Sequence, residues 1–204
     1  MARPAEFDRT EVLDAALSVF WRCGYHATSV SALVSATGLK PGSLYGAFKS
    51  KRELFLEVID LYADRQLHWV QHCLGATIPP LLAIHRFFVE FRTKLILEVD
   101  GRGGLMAKTL LELGPQDDDI RRHLCSRLSL MEQEFANALE RAQLLGDLPA
   151  TASPADQAAF IMSNVSGLCV LNSRKVQVDR YDSVIRQMLL ALAPEYDWPA
   201  LDTP

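Results

Sequence analysis

With 204 residues, 49% of them hydrophobic, the chain can bury one large core or two modest ones, which excludes a disordered polypeptide and a small disulfide-held domain. A formal charge of −4 excludes a uniformly basic nucleic-acid binder, but the total hides an asymmetry. Residues 1–52 carry seven Lys and Arg against four acids, a net charge of +3, and the remainder is acidic. A basic head on an acidic body suits a protein that touches an anionic polymer at one end only.

Nearly every segment predicts helix. Asp8 followed by Glu11 makes a capping box ahead of Leu13, Ala16, Leu17 and Phe20, so the first helix spans about 9–23 and stops at Gly24. Thr28 or Ser29 caps a short second helix in which Val30, Leu33 and Val34 recur at helical spacing, and Gly38 ends it where positive φ is needed. Lys40-Pro41-Gly42 restarts the chain, with Leu44 and Phe48 as an inward i, i+4 pair and Ser43, Tyr45, Gly46 and Ala47 turned largely outward. Two short helices joined by a tight turn can present the second helix to a DNA major groove. Ser50 with Glu53 opens a long fourth helix to about Cys73, broken by Gly75 and Pro79-Pro80.

The next helix, from Leu81 to Val99, is apolar nearly all round, as expected of a helix inside a bundle. Gly103-Gly104 precedes a short helix over 105–113, and Asp117-Asp118-Asp119 places negative charge at the start of another that runs to about Leu144. Ser153-Pro154-Ala155-Asp156 opens a helix to about Ser173 that is rich in small residues, and a last helix covers 180–193. The fold class expected is all-α, about nine helices, with a helix-turn-helix head at 1–52 and a larger bundle at 53–204.

Chemistry other than binding finds little support. Asp64, His68 and His72 fall at i, i+4 and i+8 on one helix face, but HExxH is absent, so no metal site and no cofactor are expected. No GxSxG, GxxxxGK[ST] or GxGxxG occurs. Cys23, Cys73, Cys125 and Cys169 are widely spaced and form no CxxC pair, which leaves thiol sensing by Cys125 or Cys169 as the open redox question. No secretory leader or clean membrane span is visible, so a cytoplasmic protein with no membrane partner is expected.

The stretch ATSVSALVSATGLKPGSLYGAFKSKRELF, set in three helices and followed by about six more, resembles a TetR-family transcriptional regulator; the match is specific over about 8–60 and architectural beyond. The resemblance implies a non-enzymatic homodimer that binds double-stranded operator DNA and responds to a small-molecule effector, most often as a repressor. It implies phosphate contacts at Thr28 and Ser29, a recognition helix opened by Lys40, Gly42 and Ser43, and phosphate contacts at Tyr45 and Lys51. Lys49 is either a further contact or a solvated lysine, and Arg3 either an arm into the minor groove or an unstructured end. Gly46 and Ala47 depart from the family pattern, which often has larger aromatic or imidazole side chains there. Leu105 stands where a thiol-sensing branch of the family carries a cysteine.

His85, Phe88, Phe91, Met106, Met131, Phe135 and Met162 form the candidate apolar effector set, each also readable as core. Ser163, Ser166 and Gly167, with Ile185, Met188, Leu189 and Leu192 on the last helix, form the candidate dimer interface. The competing readings are a small helical metal-binding protein or enzyme with an incidental helix-turn-helix, and a non-specific architectural DNA binder.

Overall fold

A computed structural model describes residues 7–75, 77–98 and 100–201, so Arg3 and Val99 lie outside the described residues. Among those described the chain is all-α: α1 (Arg9–Cys23), α2 (Val30–Thr37), α3 (Pro41–Phe48), α4 (Lys51–Leu74), α5 (Pro80–Leu97), α6 (Leu105–Leu113), α7 (Asp118–Leu144), α8 (Pro154–Ser173) and α9 (Val178–Leu192). The caps follow the local chemistry. Asp8 accepts the Thr10 and Glu11 amides, Ser29 rather than Thr28 caps α2, and Ser50 Oγ accepts the Glu53 amide at 3.1 Å. Asp117 accepts the Asp119 and Ile120 amides and so starts α7.

Packing divides the chain into two compact units that do not meet at residue 52. The first comprises Met1–Arg65 with Leu105–Arg121, and the second Gln66–Gly104 with Arg122–Pro204. Thus α6, which sequence spacing assigns to the larger bundle, packs with the helix-turn-helix head. In that unit Phe20, Leu33, Leu44, Phe48, Leu54 and Phe55 make the core, with Phe20 and Phe55 edge to face at 4.8 Å. Three ion pairs brace it: Arg9–Glu57, Arg52–Asp117 and Arg65–Asp14.

The second unit is built on α5, α8 and α9. Phe87 is central, meeting Phe88 and Phe135 edge to face at 5.0 and 4.9 Å and Trp69 at 4.7 Å. The chain after α9 returns onto α5, where the Pro199 carbonyl lies 2.9 Å from His85 Nε2. Because a carbonyl only accepts, the imidazole Nε2–H must donate, and burial pushes the His85 pKa below its usual value.

The loop between α5 and α6 is moored on α8. Asn172, 3% exposed, donates from Nδ2 to the Leu95 carbonyl at 2.7 Å and accepts the Gly103 amide at 3.3 Å. Gly103 sits at φ 66, and a Cβ there would fall 2.6 Å from Ser173 Oγ and 3.1 Å from the Cys169 carbonyl oxygen. No described helix is long and apolar enough to cross a membrane.

Candidate nucleic-acid interface

The head exposes one face of α3 because its other face is consumed by the core. Leu44 and Phe48 are buried, leaving Gly42, Ser43 and Gly46 exposed and Tyr45 and Ala47 half-buried on the outside. Gly38, at φ 68, ends α2 in the left-handed region, where glycine carries no Cβ penalty, and its amide donates to the Val34 carbonyl at 3.0 Å. Pro41 then occupies the first turn of α3. Nothing lies within 4 Å of a Cβ built at Gly42 or Gly46, so both glycines leave the face flat and open rather than relieving a clash.

Cations flank this face. Lys40 caps one end of α3 and Lys49 the other, the latter at φ 63, and both are exposed. Lys51, half-buried at the start of α4, holds Nζ 4.5 Å from the Tyr25 ring centroid. Burial lowers its pKa, and the nearby Glu112 partly restores it. The amino end of α2 adds a partial positive charge beside them. Ser29 is exposed there, its Oγ accepting the Ala32 amide at 3.1 Å and lying 2.9 Å from Ser31 Oγ.

Thr28 is different. It is 2% exposed and its hydroxyl donates to the Gly24 carbonyl at 2.5 Å, so this side chain closes the α1–α2 turn instead of reaching a phosphate. Sequence spacing also missed Arg9, whose guanidinium lies 4.2 Å from the Phe48 ring centroid while pairing with Glu57, and thereby backs the recognition helix from behind. It missed Glu112 on α6 as well, whose carboxylate accepts the Tyr25 and His26 amides. Each of these pairs is separated by tens of residues, with no local motif to announce it.

Residues 12–58 match the profile described as bacterial regulatory proteins, tetR family. Over 202 residues the chain is 30% identical to the HTH-type transcriptional repressor ComR of Escherichia coli (strain K12), an alignment covering 98% of this chain and 92% of that protein. The chain belongs to the TetR family. It is therefore a DNA-binding transcriptional regulator and not an enzyme. The HTH-type transcriptional repressor DhaR of Mycobacterium sp. (strain GP1) is 23% identical, over 89% of this chain and 92% of that one. Among solved structures, a cysteine mutant of the TetR-family regulator CifR, complexed with 26-base-pair operator DNA, superposes with a TM-score of 0.83. It is 27% identical, and the match covers 97% of this chain and all of that one.

The remaining candidate residues of this TetR-family chain fall as follows. Phe88, Phe91 and Phe135 are buried in the second unit's core with Met162 packed against them; Met131 is buried too, and Met106 is buried in the first unit. His85 is 6% exposed and bonded to Pro199, which makes it a satisfied core histidine rather than an open polar handle. Beside the aromatic core lies a polar group that sequence reading passed over. Trp69 Nε1 donates to Glu90 Oε2 at 2.9 Å, Cys73 Sγ lies 3.3 Å from the same oxygen, and Lys94 Nζ sits 3.2 Å from the Trp69 ring centroid.

Ser163, Ser166 and Gly167 are exposed on α8, but Ile185, Met188, Leu189 and Leu192 are buried within their own subunit. The apolar stripe of α9 faces α5 and α8, so those four residues are not surface available to a second chain. Burial raises the thiol pKa of Cys73 to about 12 and of Cys169 to about 11. At such values the reactive thiolate is scarce near neutrality, which argues against Cys169 as a redox sensor. Among the described residues no His, Cys, Asp and Glu grouping could hold a metal ion, and Asp64, His68 and His72 are exposed.

Proposed function

We propose that the protein is a cytoplasmic homodimeric repressor that inserts α3 into the major groove of a palindromic operator and leaves it when a small, mostly apolar effector binds the C-terminal bundle. The observation that carries the DNA reading is the open face of Gly42, Ser43, Tyr45 and Gly46, flanked by Lys40, Lys49 and Lys51 and by the capped α2 terminus at Ser29. Short side chains let a base edge or phosphate approach closely, while the flanking cations and the helix terminus hold the backbone in register. Lys51 and Tyr45 serve as phosphate contacts and Ser43 reads a base.

The effector, in this reading, displaces or wedges apart the aromatic packing around Phe91, Phe88 and Phe135 of the second unit, with Met131 and Met162 as adaptable neighbours. Two subunits meet through α8, where Ser163, Ser166 and Gly167 permit close helix approach.

Selecting duplexes from a randomised pool with the purified chain tests the DNA reading. An enriched palindrome is expected. Lys51→Ala should then weaken binding to enriched and scrambled duplexes alike and lower the slope of log affinity against log salt by about 0.9 for each head. Ser43→Ala should change which base is preferred and leave that slope alone. An unaltered slope for Lys51→Ala would remove Lys51 from the phosphate contacts.

A further inference from the structure

Glu112 stands on the last turn of α6, yet its carboxylate lies at the turn between α1 and α2. Oε2 accepts the Tyr25 amide at 3.0 Å and Oε1 accepts the His26 amide at 2.7 Å. The fit is close, since a Cβ at Gly24 would fall 2.7 Å from Oε2. Both bonds have an ionised acceptor, the stronger kind of hydrogen bond. The clamped turn closes through Thr28 and leads straight into Ser29, the cap of α2. Glu112 also lies near enough to Lys51 to raise that lysine's hold on its proton, and Lys51 rests on the ring of Tyr25. A second α6 side chain, Lys108, donates to the Trp21 carbonyl at 3.3 Å near the end of α1.

We propose that Glu112 is a positioning residue for DNA binding: without touching DNA, it fixes the α1–α2 turn and thereby sets the α2 terminus and Lys51 in register with the recognition helix. This inference rests on the reading that α2, α3 and Lys51 face DNA. Charge and position give Glu112 opposite effects. As a charge it opposes binding, because a carboxylate beside a phosphate-binding lysine repels the backbone, and deleting it would tighten the complex. As a clamp it favours binding, because two amides released from it let the turn move. The sign of the change in affinity therefore decides which role governs.

The experiment uses the full chain and three variants, Glu112→Ala, Glu112→Gln and Lys51→Ala. The probes are the duplex that the unmodified chain enriches most from a randomised pool and a scrambled duplex of equal length, each titrated over a range of salt. Glu112→Ala is expected to bind the enriched duplex about tenfold more weakly, with an unchanged salt slope and faster hydrogen exchange at the Tyr25 and His26 amides. Glu112→Gln keeps one carbonyl acceptor, enough for one of the two amides, and should recover about half of that loss on the free-energy scale, binding about threefold more weakly than the unmodified chain. Equal or tighter binding by Glu112→Ala overturns the proposal. If the alanine variant fails to fold, the glutamine variant decides by the same sign. Should Lys51→Ala leave the salt slope intact, Lys51 is no phosphate contact and the proposal that Glu112 sets it in register with the recognition helix falls with it. Should Lys51→Ala lower the slope while both Glu112 variants bind as the unmodified chain does, only the clamp is refuted.

Discussion

Gly103→Ala is the sharpest test of how the α5–α6 loop is held on α8, and Gly146→Ala is its control within the same unit. Both glycines have positive φ, 66 and 86 respectively, so alanine at either costs roughly 1–2 kcal/mol of left-handed strain. Their surroundings differ. A Cβ at Gly146 meets nothing within 4 Å, whereas one at Gly103 meets Ser173 Oγ at 2.6 Å and the Cys169 carbonyl oxygen at 3.1 Å. The hydroxyl can rotate away, but the carbonyl belongs to a helix and cannot. The loop must lift, and the Gly103 amide then leaves Asn172 Oδ1 buried without its donor, a further cost of about 1–3 kcal/mol. Urea unfolding followed by tryptophan fluorescence reads this directly, because Trp69 and Trp198 report on the second unit and Trp21 on the first. The expected result is a loss in the second unit larger for Gly103→Ala than for Gly146→Ala by about 1–3 kcal/mol. A Ser173→Ala background should relieve only part of the excess, since the carbonyl contact remains. Equal losses for the two glycine variants would refute the mooring.

Acid should weaken the second unit through His85. Its pKa is lowered in the folded chain, so the unfolded chain binds more protons; the stabilisation is full above the unfolded value of about 6.5 and is lost as pH falls from there through the folded value. Urea midpoints measured from pH 7.5 down to 5.5 should show this slope, and His85→Phe should flatten it; a slope unchanged in that variant would assign the titration elsewhere. Phe91→Trp, which adds volume to a close-packed aromatic cluster, should abolish effector-induced release while sparing operator affinity. Release at an unchanged effector concentration would move the pocket away from Phe91.

The parts of the fold that were legible in sequence are those governed by neighbours in the chain. The bounds of α6 at 105–113, the Ser50–Glu53 cap and the Gly38 stop all rest on spacing and local hydrogen bonding, and all three stand in the structure. What covers a helical face is not local. The stripe of Ile185, Met188, Leu189 and Leu192 announces burial equally well whether the cover is α5 of the same chain or a second subunit, and here it is the former. His85 likewise reads as a ligand handle until the chain returns 114 residues later to bring Pro199 against it. Thr28 and Ser29 are both competent caps, and only the closure of the turn on Gly24 turns one inward and leaves the other outside. Glu112 carries no sequence signal as a clamp, because its acceptors' partners lie on an element formed 86 residues earlier.

With the α9 stripe buried inside its own subunit, the proposed dimer contact rests on α8, and Gly167 is the position that tests it best. Phe160, Ser163, Ser166, Gly167 and Val170 are exposed on this helix, and Leu190 on α9 is exposed as well. The hydroxyls of Ser163 and Ser166 donate back to the Ala159 and Met162 carbonyls, so the face offers contact surface with its polar hydrogens already placed. Within one subunit, a Cβ at Gly167 would meet nothing within 4 Å. Gly167→Leu should therefore leave the isolated subunit unharmed, and should stabilise it slightly, because glycine in a helix interior is less favourable than leucine by under about 1 kcal/mol. A second helix packed closely over that position would instead be forced away. The expected outcome is a subunit that unfolds no earlier than the unmodified one, yet sediments as monomer or dissociates at higher concentration. Operator affinity should fall with it, because two half-sites are gripped together only while the heads are joined. An intact dimer with normal operator affinity would exclude α8 as the contact, whereas a variant that unfolds early would show that Gly167 is packed inside its own subunit.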